Sequence, residues 1–148
     1  MINNNDNNKT FNEIKEKLEK VAPNLAQKYD LDFLVIYGSY ARGKARENSD
    51  IDIGVKGHVD FEQNLKLTGE LSDSLNMDFI DVVDLNKASP LLAHTATSEA
   101  VIIFERQTGV FAEFRTEAFK KFVETRRLRD LNFKRTMIYI KKHSVSYS

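Results

Sequence analysis

The sequence predicts an α/β (α+β) fold: a small mixed sheet of about four strands, flanked by helices and closed by a long C-terminal helix. Three observations predict it. Four short apolar runs, LDFLVIYG, DIDIGVK, MDFIDVVDL and AVIIFE, read as strands. Stretches with apolar residues at helical spacing separate them, so strands and helices interleave. Neither an internal repeat nor a second-domain linker breaks the pattern.

The elements follow in order. Residues 1–9 are asparagine-rich and almost without apolar side chains, which predicts a disordered leader. Thr10 is placed to cap a helix, with Glu13 as its capping-box partner. Phe11, Ile14, Leu18, Val21 and Leu25 then recur at helical spacing, predicting a helix from Thr10 to about Lys28 that ends or kinks near Pro23. LDFLVIYG is nearly continuous in apolar residues and stops at Gly38, as a buried strand does. A polar loop leads into DIDIGVK. Phe61, Leu65, Leu67, Leu71 and Leu75 predict the next helix, and MDFIDVVDL the third strand. Ser89-Pro90 is a helix start, cap then first-turn proline, for a short helix through about Thr97. AVIIFE is the fourth strand. Phe111, Phe114, Ala118 and Phe122, then Leu128, Leu131 and Ile138, predict one long or two abutting helices. The expected organisation is a leader over 1–9, a single domain with a helical extension over 10–142, and a tail over 143–148.

Composition narrows the function. The 148 residues suffice for one domain with a real core, and 41% hydrophobic with 30% charged content is that of a globular protein. Basic and acidic residues balance, so no net charge draws the molecule to nucleic acid or membrane. No cysteine is present, which excludes disulfides and thiolate metal sites and suits a reducing cytoplasm. No apolar run is long enough to span a bilayer. Charge is nonetheless uneven. From Arg126 onward seven basic residues face the single acid Asp130. That is either a solvated helix face or, with Arg126, Arg127 and Arg129 in front, a docking surface for an acidic partner.

The stretch GSYARGKARENSDIDIG carries the chemistry. Asp50 and Asp52 alternate along a strand, so both carboxylates share a face while Ile51, Ile53 and Val55 take the other. Gly54 lies on the aspartate side and is expected to leave open space beyond Asp52. Two carboxylates this close repel, and they ionise together when a cation lies between them. Magnesium is the expected ion, since it takes one or two protein carboxylates and completes its shell with water and phosphates. A third carboxylate is expected on MDFIDVVDL. Asp81 lies mid-strand beside apolar neighbours, where an unpaired charge is costly, and is the first choice; Asp84 is second. Gly38 lets the backbone approach a ligand, and Ser39 with the amides after it can hold phosphate oxygens. Arg42, and less directly Lys44 or Arg46, can neutralise leaving phosphates. His58, His94 and His143 lack ligand spacing.

These residues resemble a known family. Gly38-Ser39 followed by Asp50-Ile51-Asp52 resembles the signature of the DNA polymerase β-like nucleotidyltransferases, and GSYARG with SDIDI resembles their minimal nucleotidyltransferase branch. IDVVDLNKASPLL is similar to that branch's third-aspartate strand and following helix. ETRRLRDLNFKR resembles the C-terminal helix of antitoxins paired with HEPN-domain toxin ribonucleases. Thr97-Ser98-Glu99-Ala100 departs from the pattern where a glycine is expected, at a turn outside the chemistry.

The resemblance implies a polymerase β-like fold and a protein adenylyltransferase that moves AMP from ATP to a tyrosine of a cognate HEPN toxin, silencing it. It implies two Mg2+ ions held by Asp50, Asp52 and Asp81, with Asp81 also taking the acceptor's proton. Gly38, Ser39 and Arg42 would bind the nucleotide. The alternatives are nucleotidyl transfer to a small molecule such as an aminoglycoside, which this short chain has no second domain to hold, and non-catalytic neutralisation by occlusion. Nucleic-acid binding rests on the basic tail alone and is the weakest reading.

Overall fold

A computed structural model of the chain describes residues 4–46 and 48–144, with side chains from Thr10 onward. The order is α1 (Asn4–Tyr29), β1 (Leu31–Tyr37), α2 (Gly38–Ala41), β2 (Ile51–Gly57), α3 (Phe61–Leu75), β3 (Ile80–Asp84), α4 (Pro90–Ser98), β4 (Val101–Glu105), α5 (Val110–Glu124) and α6 (Arg126–Ser144). The strands form one sheet in the order β3-β2-β1-β4. β1 runs antiparallel to both β2 and β4, while β2 and β3 are parallel. A parallel pair needs a crossover, and α3 supplies it.

The sheet is mixed, as the sequence predicts, and each face has its own core. On one face α1 and α3 cover Leu34, Ile36, Ile51, Ile53, Val55 and Val82. On the other, Phe33, Val35, Tyr37 and Leu85 pack with Ala96 of α4 and Phe111 of α5. Phe33 meets Phe111 edge-on at 5.1 Å between ring centroids.

The ends of the first and last helices are set by local contacts. α1 begins at Asn4 with Thr10 inside it, and residues 1–3 of the expected leader lie outside the described residues. Pro23 sits within α1 without ending it, because Ala22, Leu25 and Ala26 around it are held in the core. The helix stops instead where Asp30 turns left-handed at φ 54°. The C-terminal stripe divides at Thr125 into α5 and α6. There Arg129 donates to Thr125 Oγ1 at 2.5 Å and to the Phe122 carbonyl at 2.6 Å, its guanidinium 4.0 Å from the Phe122 ring. α6 buries no residue. The last four residues of the expected tail, 145–148, lie outside the described residues.

The start of α4 is as the spacing predicts. Ser89 accepts from Leu92 N–H and Pro90 occupies the first turn. Asp60 caps α3 in a reciprocal box with Gln63.

Candidate active site

The site grows from the end of β1. Gly38 has φ +74°, and a Cβ placed on it would lie 2.2 Å from Asp52 Oδ2. Only glycine tolerates both conditions, so the loop after β1 lies directly against the β2 carboxylate. The expected polar loop begins with the single-turn α2, too short to leave a periodic signal. Its close is held by Arg42 N–H to the Gly38 carbonyl at 3.1 Å and Lys44 N–H to the Ser39 carbonyl at 2.8 Å.

Asp52 stands in register with Tyr37 on one side and Asp81 on the other. Ile51, Ile53 and Val55 are buried in the opposite face, which fixes the direction of the carboxylate. Asp50, just ahead of β2, is exposed. Burial raises the pKa of Asp52, and the charges of Asp81 and Asp50 push it further, against the lowering effect of Arg42. The Tyr37 phenol is pushed up to about 12, by burial first and then by Asp52 and Asp81. The three carboxylates predicted from sequence are thus brought within electrostatic reach of one another. Among the described residues no group of three acidic or histidine side chains forms a ready-made metal cage.

Four expectations about neighbouring residues are revised. Asp81 is exposed rather than set among apolar side chains, near the start of the edge strand β3. Asp84, the second choice for the third carboxylate, is the buried one, 7% exposed, and its Oδ2 has no partner among the described residues. The space beyond Gly54 is filled: a Cβ there would meet Leu85 Cδ1 at 2.8 Å and Val35 Cγ2 at 3.1 Å. The turn at Thr97–Ala100 also touches the site after all, since Glu99 pairs with Arg42 Nε at 3.6 Å. Lys44 and Arg46 are exposed near the loop, and Arg126 and Arg127 are exposed on α6. Arg129 is instead bound to the end of α5.

Residues 6–109 match the family described as polymerase beta, nucleotidyltransferase. The chain belongs to that family. Among relatives of this nucleotidyltransferase is a Methanocaldococcus jannaschii protein named as a protein adenylyltransferase. The two are 39% identical over 80 residues, covering 53% of this chain and 92% of the relative. A crystal structure of a toxin-antitoxin with AMP-PNP shares the fold at TM-score 0.70 and 23% identity, over 80% of this chain and 98% of that one. A complex of tri-AMPylated Shewanella oneidensis HEPN toxin with MNT antitoxin matches at TM-score 0.66 and 20% identity, over 83% and 98%. At such identities the structural likeness speaks for the fold.

Proposed function

We propose that this nucleotidyltransferase moves AMP from ATP onto a tyrosine hydroxyl of a HEPN-type toxin ribonuclease and acts as its antitoxin. The observation that carries the reading is the contact of Gly38 with the Asp52 carboxylate, with Asp81 in register beside it. A phosphate-holding loop, a desolvated acid and an accessible acid are thereby joined at one point. The names of the relative and of the two complexes supply the class of acceptor.

The donor set fits magnesium. Asp52 is driven toward protonation by burial and by two like charges, a frustration that a divalent cation relieves. Asp50, Asp52 and Asp81 would hold two ions, with water and phosphate oxygens completing the shells, so no closed protein cage is required. Magnesium, when bound, withdraws charge from the α-phosphate and the leaving pyrophosphate.

The chain's own residues do the rest. Ser39 and the neighbouring amides bind the β and γ phosphates, and Arg42 can leave Glu99 to neutralise them. The acceptor oxygen bonds to the α phosphorus as the bond to pyrophosphate breaks, and Asp81 takes the hydroxyl proton. Exposure of Asp81 suits an acceptor carried on a macromolecule, which a closed pocket would refuse. Arg126 and Arg127 would dock the toxin. A cysteine-free chain fits a cytoplasmic setting.

Asp52→Asn keeps the shape of the side chain and removes its charge. Transfer of labelled AMP to the toxin should fall about a hundredfold or more, since metal-borne charge stabilisation is worth several kcal/mol. The same variant should be more heat-stable than the natural chain in metal-free buffer at neutral pH. The sign follows from linkage: a carboxyl with a raised folded-state pKa binds its proton more tightly when folded. Its contribution to stability is therefore lost as pH rises above the ordinary carboxylate range. Near-normal transfer by the variant would remove Asp52 from the site.

A further inference from the structure

We infer that Phe79 is the residue that receives the aromatic ring of the acceptor tyrosine, an inference that rests on the nucleotidyl-transfer reading above. Phe79 lies just ahead of β3 and is 56% exposed. A lone exposed apolar side chain is ordinary on a protein surface. This one stands among the carboxylates of the transfer site.

Strand register puts it there. The parallel ladder of β2 and β3 opens with Ile51 N–H donating to the Phe79 carbonyl at 2.9 Å, and its first pair is Ile51 with Ile80. Phe79 therefore lies beside Asp50 across the two strands, and two residues ahead of Asp81, the register partner of Asp52. Alternation fixes its face. Ile80 and Val82 pack into the core beneath α1 and α3, whereas Asp81 is exposed and Val83 packs against the opposite core. Phe79 falls on the side of Asp81 and Val83, which is also the side of Tyr37 and Asp52.

The direction of the reaction decides which ligand meets this ring. β2 lies between β1 and β3, and the phosphate-holding loop follows β1. In transfer from a nucleotide the attacking and leaving oxygens lie roughly in line through the α phosphorus. A pyrophosphate held by Ser39 on the β1 side of Asp52 thus sets the attacking hydroxyl on the β3 side. Asp81 takes the proton there, and Phe79 is the large apolar side chain exposed next to it. Two residues along a strand rise roughly 7 Å, and paired aromatic rings lie with centroids roughly 4.5–7 Å apart. A phenol whose oxygen reaches the Asp81 carboxylate therefore carries its ring to Phe79, in stacked or edge-on contact. Serine and threonine bring a hydroxyl without a ring and leave Phe79 open to water.

Phe79→Ala in the full chain, its fold checked by circular dichroism, tests the assignment. Transfer of labelled AMP to the toxin should slow about tenfold, the scale of a lost aromatic pair. ATP affinity, measured by calorimetry in magnesium buffer, should stay within about twofold of the natural chain. Phe79→Tyr, which keeps the ring, should retain most of the transfer rate. A double-mutant cycle on binding then reads the contact without the chemistry. Replacing the accepting tyrosine of the toxin with alanine should weaken its binding to the natural chain about fivefold, and its binding to Phe79→Ala hardly at all. Undiminished transfer by Phe79→Ala, or additive effects in the cycle, overturns the ring contact and leaves nucleotidyl transfer standing. A loss of ATP affinity in Phe79→Ala also overturns it, by giving the ring to the nucleotide. Failure of the natural chain to modify the toxin removes both readings.

Discussion

The sheet with its covering helices and the C-terminal helix α6 are built on opposite terms. In the former, Leu18, Leu31, Phe33, Leu34, Ile36, Ile51, Ile53 and Phe111 are almost wholly removed from water. Each large side chain so buried contributes about 1.5–3 kcal/mol. α6, at 19 residues, is longer than any strand, yet Leu128, Leu131, Phe133, Met137, Ile138, Tyr139 and Ile140 all remain exposed. At 3.6 residues per turn, Leu128, Leu131, Ile138 and Tyr139 fall on one flank, and Phe133, Met137 and Ile140 on the opposite one. One neighbour cannot cover both. The difference teaches that the stability of the fold is concentrated in the sheet and its covering helices. α6 leaves its apolar side chains and its charge exposed.

That division can be broken from the sheet side first. Phe33→Ala removes the ring that Phe111 and Phe114 pack against, and should cost ~3–5 kcal/mol in denaturant unfolding. A cost near zero would mean that the second core is not part of the stable unit. Gly38→Ala is next in size. Its methyl group would be driven into Asp52 at a positive φ, so about 1–3 kcal/mol of strain should accompany loss of AMP transfer. Retention of both stability and transfer would show that loop and carboxylate move independently.

The smallest change sharpens the other side. Arg126→Gln with Arg127→Gln, both exposed and free of the α5 clamp, should shift stability by no more than about 0.5 kcal/mol. The rate of toxin modification should nevertheless fall, most at low salt, because charge complementarity acts largely through encounter. Identical, salt-independent rates would leave α6 as ordinary surface. Arg129 belongs in a separate experiment, since its guanidinium joins α6 to Phe122.

What could be read from sequence divides along similar lines. Every strand and every helix longer than one turn left a periodic or capping signal, and the aspartate pair with its glycine-serine loop was legible because spacing alone sets its geometry. Burial along β3 was not. Alternation gives the two faces of a strand but not what covers each. The order of the strands put β3 at the edge, which exposed Asp81 and let the starts of α3 and α4 enclose Asp84. The pairing of Arg42 with Glu99 was equally hidden, since it joins a loop after β1 to a turn before β4. Pro23, read as a place where α1 ends or kinks, does not end it, because core contacts on either side carry the helix on to Tyr29, close to the expected end near Lys28.

The charge of α6 has a consequence for how the molecule moves. The whole chain is neutral, and Arg126 to Lys142 holds seven basic residues against Asp130, so the rest of the chain carries an equal acidic excess. Such a body is an electric dipole without net charge. It does not drift in a uniform field, but it turns. Near a negatively charged surface the torque brings α6 round to the front before contact, so the first touch is made by the end that has apolar flanks to offer. On a column the same separation should let one protein, at its neutral point, be retarded by both cationic and anionic resins.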